Sequence, residues 1–127
     1  TSPAVGLLLD TGHLTFAGGD PIAVQKRHAD RIVHVHCKDL REAVLKDAKN
    51  RDLSFLDAML NGVFTVPGDG FIDYLSIFNG LKASNYQGWL VVEAEQDPAV
   101  AHPLTYATLG ANNLKKFCAE SGLNLVD

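Results

Sequence analysis

The chain has 127 residues, 46% of them apolar, and a formal net charge of -4 at neutral pH. That length gives one domain, or a piece of one, with a real core. The acidic balance offers a polyanion no long-range attraction, which turns the reading from nucleic acid and anionic membrane toward a small-molecule ligand. No apolar run approaches the roughly 20 residues that span a bilayer, and the first residues have neither a basic start nor a hydrophobic signal segment. Cys37 and Cys118 are too few for a disulfide scaffold and read as reduced, buried small hydrophobes, which favours the cytoplasm.

Thr1 to Ala4 lead without cap or methionine into an apolar strand, Val5 to Leu9, so the chain reads as cut at its N-terminus. Thr11 to Gly19 reads as a glycine-rich loop. Asp20-Pro21 then reads as an N-cap with proline at the first helical position, opening a helix to about Ala29. The stretch Ile32 to Lys38 alternates apolar and polar residues, the period of a strand with two different faces. Val33, Val35 and Cys37 take one face; His34, His36 and Lys38 take the other. Strand, helix, strand in about 35 residues is the size of a βαβ unit with parallel strands.

Arg41 to Lys49 reads as a charged, solvated helix. A second helix, from a Ser54 cap to about Leu60, carries Phe55, Leu56, Met59 and Leu60 on a side expected to be core. Val63 to Gly70 reads as irregular, broken at Pro67-Gly68-Asp69-Gly70. Phe71, Leu75, Phe78 and Leu81 recur at helical spacing and place a helix over about 72–83. A third strand is expected at Trp89 to Ala94. A long helix is expected from about Leu104 to Glu120, with Ala107, Ala111, Leu114 and Cys118 inward and Gly122 ending it. The alternation of strands and helices gives an α/β chain with parallel strands.

In parallel sheets of this kind, ligands bind where the C-terminal strand ends converge. Asp10, His36 and Glu93 all stand at such ends. Carboxylates with one imidazole are suitable ligands for a divalent metal. Asp10 is equally an aspartate that caps backbone amides after a strand, and a lone histidine is more often a structural residue than a ligand. The row His34, His36, Lys38 on one face points to a site. Glu93 and Glu95 also share a face, and paired carboxylates need solvent, a cation or a shared proton. The glycines around Asp69 read as loop chemistry, and His28 and His102 as surface residues.

Leu9-Asp10-Thr11-Gly12-His13, His34-Val35-His36-Cys37-Lys38-Asp39 and the run from Gly88 to Pro98, with Glu93-Ala94-Glu95-Gln96-Asp97-Pro98 at its end, resemble the C-terminal part of the inosose dehydratases. These belong to the xylose isomerase-like (β/α)8 barrels, together with sugar epimerases, hydroxypyruvate isomerase and an abasic-site endonuclease. The resemblance runs from Val5 to about Leu114. It implies that residues 1–127 are the C-terminal portion, about three βα units, of one TIM barrel whose N-terminal portion is absent. An open barrel remnant then requires a second copy in a homo-oligomer or the missing part of the barrel as its partner.

The resemblance also implies a metal held by Asp10, His36 and Glu93, with a fourth ligand, a glutamate, from an earlier strand. Manganese or cobalt is the expected metal, with magnesium or zinc as alternatives. The implied reaction dehydrates a cyclic polyhydroxy ketone, 2-keto-myo-inositol, to a cyclohexane dione. His13 and Lys38 are then the candidates for proton transfer and anchoring, and His34 and Glu95 for substrate binding. A metal-dependent ketose epimerase or isomerase and an inactive truncated product are the alternatives. The endonuclease fits poorly with an acidic chain lacking a basic tract.

Overall fold

The computed structural model describes residues 2–126. In chain order the elements are β1 (Leu7–Asp10), α1 (Thr11–Phe16), α2 (Pro21–Arg27), β2 (Ile32–Cys37), β3 (Asp39–Leu40), α3 (Glu42–Asn50), α4 (Phe55–Leu60), β4 (Phe64–Thr65), α5 (Tyr74–Ala83), β5 (Trp89–Val92) and α6 (Pro103–Ser121). The strands β1, β2 and β5 form a parallel sheet in the order β1-β2-β5. This is the α/β architecture with parallel strands that the sequence predicts, and it is not a closed barrel.

Register fixes what each face carries. Leu8 lies beside His34 and His34 beside Trp89, while Asp10 lies beside His36 and His36 beside Val91. Paired residues share a face. Leu8, Asp10, His34, His36, Trp89 and Val91 therefore line one side of the sheet, and Leu9, Val35, Cys37, Leu90 and Val92 the other. The second side is the core: Leu9, Val35 and Cys37 are buried with Tyr74, Ile77, Phe78 and Leu81 of α5 and Leu114 and Cys118 of α6. Burying each of the larger side chains contributes about 1.5–3 kcal/mol. Both cysteines are free and buried, as expected.

The chain between β2 and α5 makes a second, smaller core. Leu40, Leu45, Ala48, Ala58, Val63 and Phe64 pack together there. The α3 helix is as charged as expected, exposing Lys46 beside Glu42 (2.7 Å) and Arg51 beside Asp47 (2.9 Å). Asp39 anchors the excursion from below. Its buried carboxylate accepts hydrogen bonds from the backbone N–H of Leu40 (2.8 Å), Gly68 (3.0 Å) and Ile72 (3.0 Å). Gly70 is required there: a Cβ would stand 2.3 Å from Asp39 Oδ1 and from Leu40 O.

Several elements differ from the sequence reading. Thr11 to Phe16 is a helix and not a loop, because Asp10 caps it and Thr15 Oγ1 donates to Thr11 O (2.7 Å). Residues 63–70, expected to be irregular, include β4, which pairs antiparallel with β3 through Asp39 with Thr65 and Leu40 with Phe64. The α4 face expected to be core is largely outside: Phe55, Leu56 and Leu60 are exposed and only Ala58 is buried. The buried stripe of α5 is Tyr74, Ile77, Phe78 and Leu81, so Phe71 and Leu75 fall on the outer side.

The third strand stops at Val92, short of Ala94. On α6 the inner side is Gly110, Leu114 and Cys118, while Ala107 is exposed. Gly110 sets that phase, because its missing side chain leaves room for Val92 and Val66. Gly122 ends the helix at φ 74°, in the left-handed region where glycine is unstrained. Among the described residues no helix is long and apolar enough to cross a membrane.

Candidate metal centre

Three parallel strands end side by side, and each ends in a polar residue that turns toward its neighbours. Asp10 closes β1, His36 is the penultimate residue of β2, and Glu93 follows β5, held by its N–H donating to Cys37 O (3.2 Å). One ligand atom of each lies within 4.8 Å of the others. His36 Nδ1 is 3.0 Å from Glu93 Oε2 and 3.5 Å from Asp10 Oδ2. Asp10 is also the cap that its sequence context allows: Oδ1 accepts the His13 N–H (2.8 Å), leaving Oδ2 for the site. The capping role therefore leaves one carboxylate oxygen facing His36.

Around these three stand His13, Lys38 and Glu95. His13 Nδ1 is 3.1 Å from Asp10 Oδ2, and its Nε2 is 2.7 Å from Glu95 Oε2 and 2.9 Å from Lys38 Nζ. Lys38 has a fully buried side chain, yet its ammonium meets Glu95 Oε2 and lies 3.4 Å from Glu93 and 3.9 Å from Asp10. Burial raises the Glu95 pKa, but the hydrogen bond and charge of Lys38, then those of His13, hold the carboxyl below its ordinary range. Glu95 sits at φ 48°, left-handed backbone that non-glycine residues seldom adopt. Strain of this kind collects at functional sites. His34 stands one step below His36, with ring centroids 5.3 Å apart, and makes no ion pair with the carboxylates among the described residues.

The donor set fits a divalent cation. Two carboxylates and one imidazole, from three rigid strand ends, match the hard-oxygen and nitrogen preferences of such ions. Glu93 Oε2 is buried and makes no hydrogen bond. His36 Nδ1 (3.0 Å) and the Lys38 ammonium (3.4 Å) face that oxygen without a hydrogen bond to it, and a buried carboxylate oxygen left without one is costly, a need that a bound cation would meet.

A clamp behind the site was not foreseen. Lys38 N–H donates to Thr11 Oγ1 (3.2 Å), the Tyr74 hydroxyl donates to Lys38 O (2.9 Å), and the two hydroxyl oxygens are 2.7 Å apart. It fixes the backbone of Lys38, while the side-chain stem runs over Gly12, where a Cβ would stand 2.6 Å from Lys38 Cγ. An aromatic group was also missed. His13 lies 5.4 Å from Phe64 and 5.8 Å from Phe55, and both phenylalanines pack on Phe16. The early phenylalanines carried no shared period that could have flagged this cluster.

The model of the xylose isomerase-like TIM barrel family matches residues 1–117. The chain belongs to the xylose isomerase-like TIM barrel family. Enzymes of this family generally use a divalent metal. Among similar proteins, the rhizopine catabolism protein MocC of Rhizobium meliloti is 59% identical over 125 residues, 98% of this chain and 38% of its own length. The inosose dehydratase of Clostridium tetani (strain Massachusetts / E88) is 59% identical over 103 residues, 81% of this chain and 35% of its own. A xylose isomerase domain protein from Alicyclobacillus acidocaldarius subsp. acidocaldarius superposes with a TM-score of 0.66 at 27% identity, covering 95% of this chain and 39% of that structure. The chain thus spans 35% and 38% of the length of the two relatives named. The open face of the sheet is the face that carries Asp10 and His36.

Proposed function

We propose that residues 1–127 are the C-terminal portion of one xylose isomerase-like barrel, and that the barrel is a hydro-lyase dehydrating 2-keto-myo-inositol in inositol catabolism, in the cytoplasm. The observation that carries this reading is the meeting of Asp10, His36 and Glu93 on a chain 59% identical to an inosose dehydratase over 103 residues. Asp10, His36 and Glu93 would hold the cation, manganese or cobalt in preference to magnesium or zinc, with a further ligand from another part of the barrel. A divalent ion bound there supplies Lewis-acid polarisation of a ketone and stabilises enolate charge.

The rest of the reaction falls to the chain's own side chains. An α-proton must leave a carbon and a proton must reach the departing hydroxyl. His13 Nε2 and Lys38 Nζ are 2.9 Å apart and both contact Glu95, so one group can release a proton while its neighbour takes one up. Glu95 orients both and offers its remaining oxygen to a substrate hydroxyl. His34, deeper on the same face, binds the far side of the substrate.

Calorimetric titration of manganese into the complete barrel, wild type against Glu93→Ala, tests the site. Loss of affinity should exceed the roughly 10–100-fold that follows removal of a supporting hydrogen-bond partner, with the fold retained. Unchanged affinity removes Glu93 from the ligand set. Turnover of inosose against a panel of ketoses tests the reaction: epimerisation of a ketose without loss of water from inosose would replace the dehydratase reading by the epimerase one.

A further inference from the structure

The polar cluster has an apolar wall on one side, and the wall ends in a half-exposed aromatic ring. Phe64 is fully buried, with the Lys38 ammonium 5.2 Å from its ring centre. Phe55 packs on Phe64 (5.6 Å between centroids) and edge-on to Phe16 (5.4 Å), lies 5.8 Å from the His13 ring, and keeps 45% of its surface open. Its place is fixed by the start of α4, where Ser54 Oγ accepts the Asp57 N–H (3.1 Å) and donates to Asp57 Oδ2 (2.6 Å). A large apolar ring held this firmly beside His13, which itself contacts Lys38, Asp10 and Glu95, is a surface for a ligand with one apolar side.

We infer that Phe55 is a substrate-positioning wall that packs against the C–H face of a ring while the polar cluster takes its oxygens. The inference rests on the dehydratase reading and sharpens it. In 2-keto-myo-inositol the hydroxyls are equatorial, so the hydrogens project from the two faces of a rigid carbocycle. Such a face matches an aromatic surface, whereas an open-chain ketose presents none. Leu56, the next residue of α4, is exposed by 57% against 45% for Phe55 and is not an aromatic ring packed on His13. It serves as the control for a merely apolar rim.

The test compares Phe55→Ala, Phe55→Leu, Phe55→Trp and Leu56→Ala in the complete, manganese-loaded barrel. Phe55→Ala should raise KM for inosose about fivefold, with a smaller change in kcat and an unchanged manganese affinity. Phe55→Trp should restore KM, Phe55→Leu should not, and Leu56→Ala should behave as wild type. An unchanged KM in Phe55→Ala, equal defects in Phe55→Ala and Leu56→Ala, or full rescue by leucine would each overturn the inference. Failure of the dehydratase reading shows separately, as wild-type protein that does not turn over inosose. The wall is then judged by calorimetric binding of scyllo-inositol, whose hydroxyls are all equatorial: weaker binding by Phe55→Ala than by wild type supports it, and equal affinity, or no binding by wild type, would overturn it.

Discussion

With its side chain fully buried and its ammonium within 3.9 Å of oxygens from Asp10, Glu93 and Glu95, Lys38 neutralises a cluster of acids that would otherwise repel one another. Removing one partner of a buried ion pair is more damaging than the pair is stabilising, because the remaining charges stay behind. Lys38→Met should therefore lower the stability of the metal-free protein by about 3 kcal/mol. A divalent cation supplies the missing positive charge, so manganese should raise the melting temperature of the variant more than that of wild type. Equal responses to metal in the two proteins would mean that the carboxylates do not share one field. Lys38, His36 and His34 were legible in the sequence because strand parity alone puts them on one face. Thr11 and Tyr74 were not, since a threonine after a strand and a tyrosine inside a helical stripe look like ordinary packing residues. Their hydroxyls act on the backbone of Lys38, which no spacing rule reveals.

Helix ends decide how firmly the elements hold this arrangement. Asp73 caps α5, accepting from Ser76 N–H (3.0 Å) and from Ser76 Oγ (2.6 Å), and these bonds hold its carboxyl below the ordinary range. A depressed folded pKa means stability that is complete above the unfolded value and lost as pH falls through the folded one. Asp73→Ala should cost about 1 kcal/mol near neutrality, and its difference from wild type should shrink as the pH is lowered through that range. Denaturant midpoints at a series of pH values measure this; a difference that stays constant would assign the effect to lost packing. The caps at Asp20, Ser54 and Gly122 were readable because each pairs a residue type with a local hydrogen-bonding role. The two-residue ladder of β3 and β4 was not, being shorter than any period. The α1 helix was hidden too, because its glycine and threonines disfavour helix and only the Asp10 cap and tertiary contacts favour it.

For the whole molecule, the decisive feature is that one side of the parallel sheet is covered by helices and the other is not. On the open side Leu8 keeps 46% and Trp89 75% of its surface exposed, on the same face as Asp10 and His36. A cleft of about 630 Å³, bordered by Tyr86, Trp89, Leu123 and Leu125, lies at the N-terminal end of β5. The outer edges of β1 and β5 have no strand beside them among the described residues. Unpaired edges and exposed inner-face apolar residues are what a segment of a parallel barrel presents before its neighbours are added. Trp89 is the single tryptophan of the chain and shares a face with His34, so it reports directly on closure. With 5-fluorotryptophan incorporated in this chain alone, adding the N-terminal portion of the barrel in trans should move the fluorine resonance from a solvent-exposed to a buried environment. Manganese affinity should rise in the same titration if the added strands bring the further ligand proposed above. A resonance that stays exposed while metal affinity is already complete would show that the three strand ends suffice and that the open face is not a barrel interior. A resonance that becomes buried with no gain in affinity would separate the fold from the site, placing the strands as predicted but the ligand set elsewhere.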